Sequence, residues 1–235
     1  MDSKNRLHTV QATILTTLRS ATRARYAELL RPTGLEGDRF KYHLAALIRK
    51  KLVVKAVDGV YELTAEGKEF TNRLDVRTGR EIPAPKASML LAVRSYTNGT
   101  EYFLAHKRTR EPFRDYWGIA SAPLLRGVPI RDAAARELKK QAGITVDFAV
   151  VGLQRVTDVL TNGTVLEDKL FTLLVADCVG LPATKPWYGG ESTWLTRDEL
   201  LAQPRLFPTT ATSLDMIHHG ITFNEQTCVY DKNNY

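Results

Sequence analysis

Leu7, Val10, Ile14 and Leu18 recur at steps of three and four, which predicts an amphipathic helix with one buried face. A second short helix is expected over residues 25–30, with Tyr26 and Leu29 or Leu30 inward, ended by Pro32-Thr33-Gly34. A third starts near Glu36, where Glu36 and Asp38 suit the positive dipole end, and its apolar stripe is Phe40, Leu44, Leu47 and Ile48. Leu52–Lys55 and Val60–Leu63 read as two strands joined at Asp58-Gly59. A further helix from Thr64 carries Phe70 and Leu74.

The periodicity stops between Asp75 and Lys86, where Pro83 and Pro85 hold their neighbours extended. This predicts two domains, 1–76 and 87–235, joined by a linker at 77–86. Beyond it, Met89–Val93 and Glu101–Arg108 read as strands around the turn Asn98-Gly99. Residues 132–142 read as a helix with Ala134, Ala135, Leu138 and Ala142 inward and Gly143 as its stop. Later strands are expected at 150–159 and 170–175, giving a helix packed on a mixed sheet.

Charge sharpens the division. Residues 1–80 hold 16 of the 33 Lys and Arg and 9 of the 26 Asp and Glu, so the whole +7 excess lies there and the remainder is neutral. Such asymmetry points to a front module for a polyanion and a second module with another task. With 43% apolar and 25% charged residues the chain is not a disordered polymer, and two isolated cysteines exclude a disulfide framework. No apolar run reaches the ~20 residues of a membrane span, and the N-terminus lacks the apolar core of a signal peptide, so a cytoplasmic, reducing setting is expected.

The front module resembles a winged helix-turn-helix. Phe40-Lys41-Tyr42-His43-Leu44 before Leu52-Val53 is similar to the recognition helix of prokaryotic winged-helix repressors, and Tyr61-Glu62-Leu63-Thr64-Ala65-Glu66-Gly67 to the return strand of their wing. The fold class expected is therefore α+β, a winged helix (three helices plus a β-hairpin wing) followed by the α/β/α sandwich named below. With the stripe inward, Arg39, Lys41 and Tyr42 face double-stranded DNA, with the guanine edges, phosphates and thymine methyls they can contact, and His43 lies at the border. Arg49, Lys50 and Lys51 suit either the helix dipole or phosphates, and Lys55 on the wing is a phosphate candidate. A homodimer would present its two recognition helices to half-sites about 34 Å apart.

In the second module, Arg110–Gly118 followed by Arg136-Glu137-Leu138-Lys139-Lys140-Gln141-Ala142-Gly143-Ile144 resembles the Nudix fold, whose box reads G-x5-E-x7-R-E-U-x-E-E-x-G-U. Residues 191–200 are similar to the segment before the last Nudix helix. Matched from Arg136, the box glycine falls on Ala122, the loop glutamate on Val128 and the metal-binding glutamates on Lys140 and Gln141. Glu137, Lys140 and Gln141 share a helix face, so Glu137 and Lys140 sum to zero where Mg²⁺ wants carboxylates. No catalytic or metal residues and no cofactor are expected; Mg²⁺ enters only if Glu111, Asp115 or Asp132 rebuild a hydrolase site.

The resemblance implies a sensor for a small phosphorylated metabolite, nucleotide or sugar phosphate. Arg108, Arg114, Tyr116, Trp117, Glu137 and Lys140 are its candidate ligand residues, Trp117 serving equally as sheet packing. Trp187 and Trp194 read as structural, His218-His219 as a poor metal pair, and Cys178 as a buried apolar residue. A Nudix hydrolase and a protein-binding scaffold are the other two classes open to such a chain.

Overall fold

The computed structural model describes residues 7–75, 78 and 80–232, which divide into two compact units at Pro83/Ala84. In the first unit α1 spans Thr9–Ala21, β1 Arg23–Ala24, α2 Tyr26–Leu30 and α3 Gly37–Arg49, with a 3-10 turn at Arg31–Thr33 after α2. The hairpin β2 (Val53–Lys55) and β3 (Tyr61–Leu63) follows, then α4 (Ala65–Asn72), capped by the Thr64 hydroxyl accepting from the Gly67 amide. β1 pairs with β3, so the sheet has three strands rather than the two expected. Two residues were too short a run for periodicity to reveal.

One core binds these elements: Ile14, Leu15, Leu18, Leu29, Phe40, Leu44, Leu47 and Val53 are all buried. The stripe of α3 differs from expectation at one place. Ala46 is buried and Ile48 is 40% exposed, because α3 turns its 40–44–47 row inward and position 48 falls off its edge. Within the expected linker, Ile82 donates its amide to the Arg73 carbonyl (2.8 Å) and Leu74 bridges Glu81, so the described residues there fold back on the end of α4. Arg77 and Gly79 lie outside the described residues.

The second unit is a seven-stranded mixed sheet between helices. Its strands are β4 (Lys86–Thr97), β5 (Thr100–Arg108), β6 (Trp117–Pro123), β7 (Ala149–Leu160), β8 (Val165–Cys178), β9 (Gly190–Thr196) and β10 (Phe223–Tyr230). Their order is β10-β7-β8-β4-β6-β5-β9, with β4 parallel to β8 and β10 parallel to β7. β4 begins at Lys86, the last residue of the expected linker.

Alternation along β4 feeds both faces. Met89, Leu91 and Val93 pack under α5 (Ile130–Ala142) with Ala134 and Leu138. Leu90 joins Val156, Leu173 and Met216 on the other face, below α7 (Thr209–His219), and α6 (Arg197–Leu201) packs beside it through Leu200. Ala133 rather than Ala135 is fully buried on α5, and Gly143 caps the helix in the left-handed region (φ 77°). Cys178 is half-buried, whereas Cys228 is buried. Among the described residues no helix is long and apolar enough to cross a membrane.

Candidate functional site

In the first unit, Arg39, Lys41 and Tyr42 all stand exposed on one side of α3, Tyr42 at 69%. Lys41 makes an exposed ion pair with Asp38 (3.3 Å), which fixes little in water. His43 stacks on His8 at 4.3 Å and meets the Tyr42 ring edge-on at 5.4 Å; its Nδ1 has no partner, and burial followed by the nearby His8 lowers its pKa. Lys50 caps α3 and Lys51 adopts φ 57°, its carbonyl accepting from the Thr64 hydroxyl at 2.6 Å. Lys55 lies 5.8 Å from the Tyr61 ring centre.

The second unit holds a cavity of about 240 Å³ on the α7 side of the sheet. Its aromatic walls are Phe113, Phe171, Phe207 and Tyr230, and its charged lining is four cations (Lys86, Arg108, Arg110, Lys169) against two carboxylates (Asp158, Glu167). The alternation of β7 puts Gln154, Val156 and Asp158 on this buried face, so two polar groups sit where apolar ones would be usual. Asp158 is 1% exposed; burial raises its pKa and its pairing with Lys169 opposes that rise. Lys169 also reaches Glu167 (3.1 Å), which Lys86 meets at 2.6 Å. Burial works against the Glu167 charge, but these two ammonium groups hold its pKa below the ordinary value.

This network leaves specific atoms unsatisfied. Asp158 Oδ1 has no hydrogen-bond partner, nor has Gln154 Nε2, although the Ser213 hydroxyl donates to Gln154 Oε1 at 2.8 Å. Buried polar atoms of this kind are uncommon and mark places that a ligand or water completes. The loop into the cavity is conformationally strained: Phe113 (φ 65°) and Asp115 (φ 66°) hold left-handed backbone, which bulky side chains adopt at a cost of order 1–3 kcal/mol.

The expected ligand residues do not share one wall. Arg108 lines the cavity, its guanidinium donating to the Arg110 and Glu111 carbonyls. Tyr116 is buried in the aromatic cluster with Phe113 and Phe207, and Trp117 packs with the apolar group under α6 and α7. Arg114 points to solvent. Glu137 and Lys140 lie on α5, on the other side of the sheet, paired at 3.5 Å. Gln141 leaves the expected shared face altogether: it is 2% exposed and donates Nε2 to the Ser121 carbonyl at 3.1 Å.

The donor set on α5 therefore does not suit a hard divalent cation. One carboxylate remains, already neighbouring an ammonium, and among the described residues no three His, Cys, Asp or Glu groups converge to hold a metal. Of the carboxylates that could rebuild such a site, Asp115 pairs with Lys107 at 3.5 Å. Sequence reading passed over Asp158, Lys169 and Arg110. The signal for Asp158 was present, since Gln154 and Asp158 interrupt an otherwise apolar row of β7 at two-residue spacing. Lys169 and Arg110 carried none, being single cations among many.

No protein-family model matches the chain, and no curated protein matches it in sequence. Among solved structures it is similar to the NUDIX domain of Shewanella oneidensis NrtR complexed with ADP ribose, at 13% identity and TM-score 0.52, over 68% of this chain and 100% of that one. It also matches a MutT protein from Bacillus halodurans (17% identity, TM-score 0.47, 64% and 93% of the two chains) and a NUDIX hydrolase from Nitrosomonas europaea (19%, 0.46, 60% and 93%). The first likeness shows the fold: this chain contains a Nudix-like domain.

Proposed function

We propose that the chain is a DNA-binding transcription regulator whose Nudix-like domain senses a small phosphorylated metabolite of the nucleotide or sugar-phosphate kind without catalysing its hydrolysis. The observation that carries the sensor reading is the cavity: four cations against two carboxylates give it a net charge of +2 beside four aromatic walls. Phosphate oxygens suit the cations and a planar base suits the rings. The ADP ribose bound by the NrtR domain belongs to the same chemical class.

For the first unit, the order α1, α2, α3, hairpin and α4 is that of a winged helix, with α3 as recognition helix and β2–β3 as wing. Arg39, Lys41 and Tyr42 are the base- and phosphate-reaching residues; Lys50, Lys51 and Lys55 add phosphate contacts, and His43 borders this surface between His8 and Tyr42. The regulator acts in the cytoplasm as a homodimer, and the effector shifts its DNA affinity by binding one arrangement of the dimer better than another.

Two experiments test the two halves. Thermal unfolding of the full chain is followed against nucleotides, dinucleotides and nucleotide sugars, each with Mg²⁺ and with a chelator. A ligand at 100 times its dissociation constant stabilises by about 2.7 kcal/mol, and the shift is expected to persist in chelator. DNA binding, read by fluorescence anisotropy, is expected to weaken steeply with salt and to lose about one unit of salt slope on Lys41→Ala. Turnover that requires Mg²⁺ would replace the sensor by a hydrolase, and salt-insensitive or absent DNA binding would remove the regulator.

A further inference from the structure

Trp187 lies outside every role the fold assigns it. It stands in the tight return Trp187-Tyr188-Gly189-Gly190, where its amide donates to the Gly190 carbonyl (3.1 Å) and the Gly190 amide to its own (3.2 Å). Gly189 is required there, since a Cβ would lie 2.4 Å from the indole ring. The turn thus presses the indole against its own backbone and fixes it in place.

Cations gather on that ring. Lys140 Nζ lies 5.6 Å from its centre and the Arg110 guanidinium 5.8 Å, while Arg110 also lies 6.0 Å from the exposed Tyr188 ring. Arg108 is one strand-end away and donates to the Arg110 carbonyl at 3.0 Å. Among the described residues neither guanidinium has a carboxylate in ion-pair distance, and Glu137 alone is shared with Lys140. The repulsion is felt locally: burial, then Arg108 and Arg110, push His106 down to about 4, and burial followed by Arg110 lowers Arg108. The indole Nε1–H likewise has no acceptor. Two cations and a donor thus meet at the ring with Arg108 beside Arg110, while Glu137 pairs with Lys140 and the Glu167 and Glu111 carboxylates act on Arg108.

We propose that Arg110 and Lys140 on the Trp187 indole, with Arg108 beside Arg110, form a diphosphate-binding site that needs no divalent cation. The inference rests on the second unit being a sensor for a phosphorylated ligand and adds where its diphosphate sits and what neutralises it. Arg108 and Arg110 also line the cavity, so they are the two cations common to it and to this cluster. Fixed guanidinium and ammonium groups do the charge compensation that a metal ion would otherwise do. Trp187 is a positioning residue: it holds two flexible cations over one rigid ring.

The test is calorimetric titration of the full chain with inorganic pyrophosphate and with ADP, in chelator and in Mg²⁺. Binding in chelator is expected, weakened at least tenfold by Arg110→Met and by Lys140→Met. Trp187→Leu should weaken it as well, Trp187→Phe should restore it, and ligand should change the indole fluorescence of the unmodified chain. ADP binding tighter than pyrophosphate assigns the diphosphate to a nucleotide. Binding that needs Mg²⁺ overturns the proposal. So does binding lost with Lys86→Met but kept in Arg110→Met and Lys140→Met, an outcome that leaves the sensor standing with its phosphate elsewhere in the cavity. No response to any ligand in the thermal panel would remove the sensor itself.

Discussion

Lys140 Nζ stands 3.5 Å from Glu137 Oε2, one turn earlier on α5, and this pairing neutralises the helix face on which a Nudix box would concentrate carboxylates. Mg²⁺ is therefore expected to leave the unfolding midpoint of the chain unchanged. Lys140→Glu returns one carboxylate beside Glu137 and should create a dependence on Mg²⁺. A site at ten times its dissociation constant would add about 1.4 kcal/mol, visible by calorimetric scanning. A Mg²⁺ shift already present in the unmodified chain would contradict this account of the face.

His106 is half-buried, and this burial, with Arg108 and Arg110 nearby, lowers its pKa to about 4. A histidine with a depressed folded pKa binds fewer protons folded than unfolded between pH 6.5 and 4. Stability is then whole above pH 6.5 and declines as pH falls through that window, by up to about 3 kcal/mol. Urea unfolding against pH should show a flatter acid limb in His106→Asn; an unchanged limb would assign the loss to other groups.

Asp158 and Lys169 form a buried pair between β7 and β8. Lys169→Met leaves the Asp158 carboxylate without its cation and should cost about 3–5 kcal/mol. The double variant Asp158→Asn with Lys169→Met should recover much of that loss, because the uncompensated charge is gone. A double-variant cycle by chemical denaturation measures the coupling; strict additivity would show that the two side chains act independently.

Gly67 sits in α4 where a Cβ would fall 1.9 Å from the Leu52 carbonyl oxygen. Alanine ordinarily favours a helix over glycine by about 1 kcal/mol, but here α4 and the chain entering β2 would have to separate. Gly67→Ala should destabilise the first unit by about 2 kcal/mol or more. Hydrogen exchange should accelerate in α1 and α4 while β4 and β8 keep their protection.

Local chemistry made much of this fold legible. Asn98-Gly99, Asp58-Gly59 and Gly143 marked their turns and cap, and the 40–44–47 row oriented α3 so that Arg39, Lys41 and Tyr42 emerged on its exposed side. The register of α5 was less secure, because four alanines offer periodicity little contrast; Ala133 and Ala135 exchanged roles and Gln141 went inward. β9 and β10 were missed for another reason. β9 finds its partner β5 more than eighty residues earlier, and no local pattern announces such a pairing. The same distance hid the cluster around Trp187, whose members come from the end of β5 and the loop after it, α5 and the turn before β9.

The parallel pairing of β4 with β8 also governs how the chain acquires its shape during synthesis. Lys86 through Ser95 align with Lys169 through Cys178, so the central strand waits for roughly 80 further residues, about 4–16 s at ~5–20 residues per second, before its second edge is covered. β5 can shield one side early through the Asn98-Gly99 hairpin, while the edge destined for β8 stays open and carries Met89 to Val93. The first unit, built from local helices and a short hairpin, has no such delay. Translation thus delivers a folded front unit attached to a nascent sheet with an exposed apolar edge, the interval in which a chaperone has most to do.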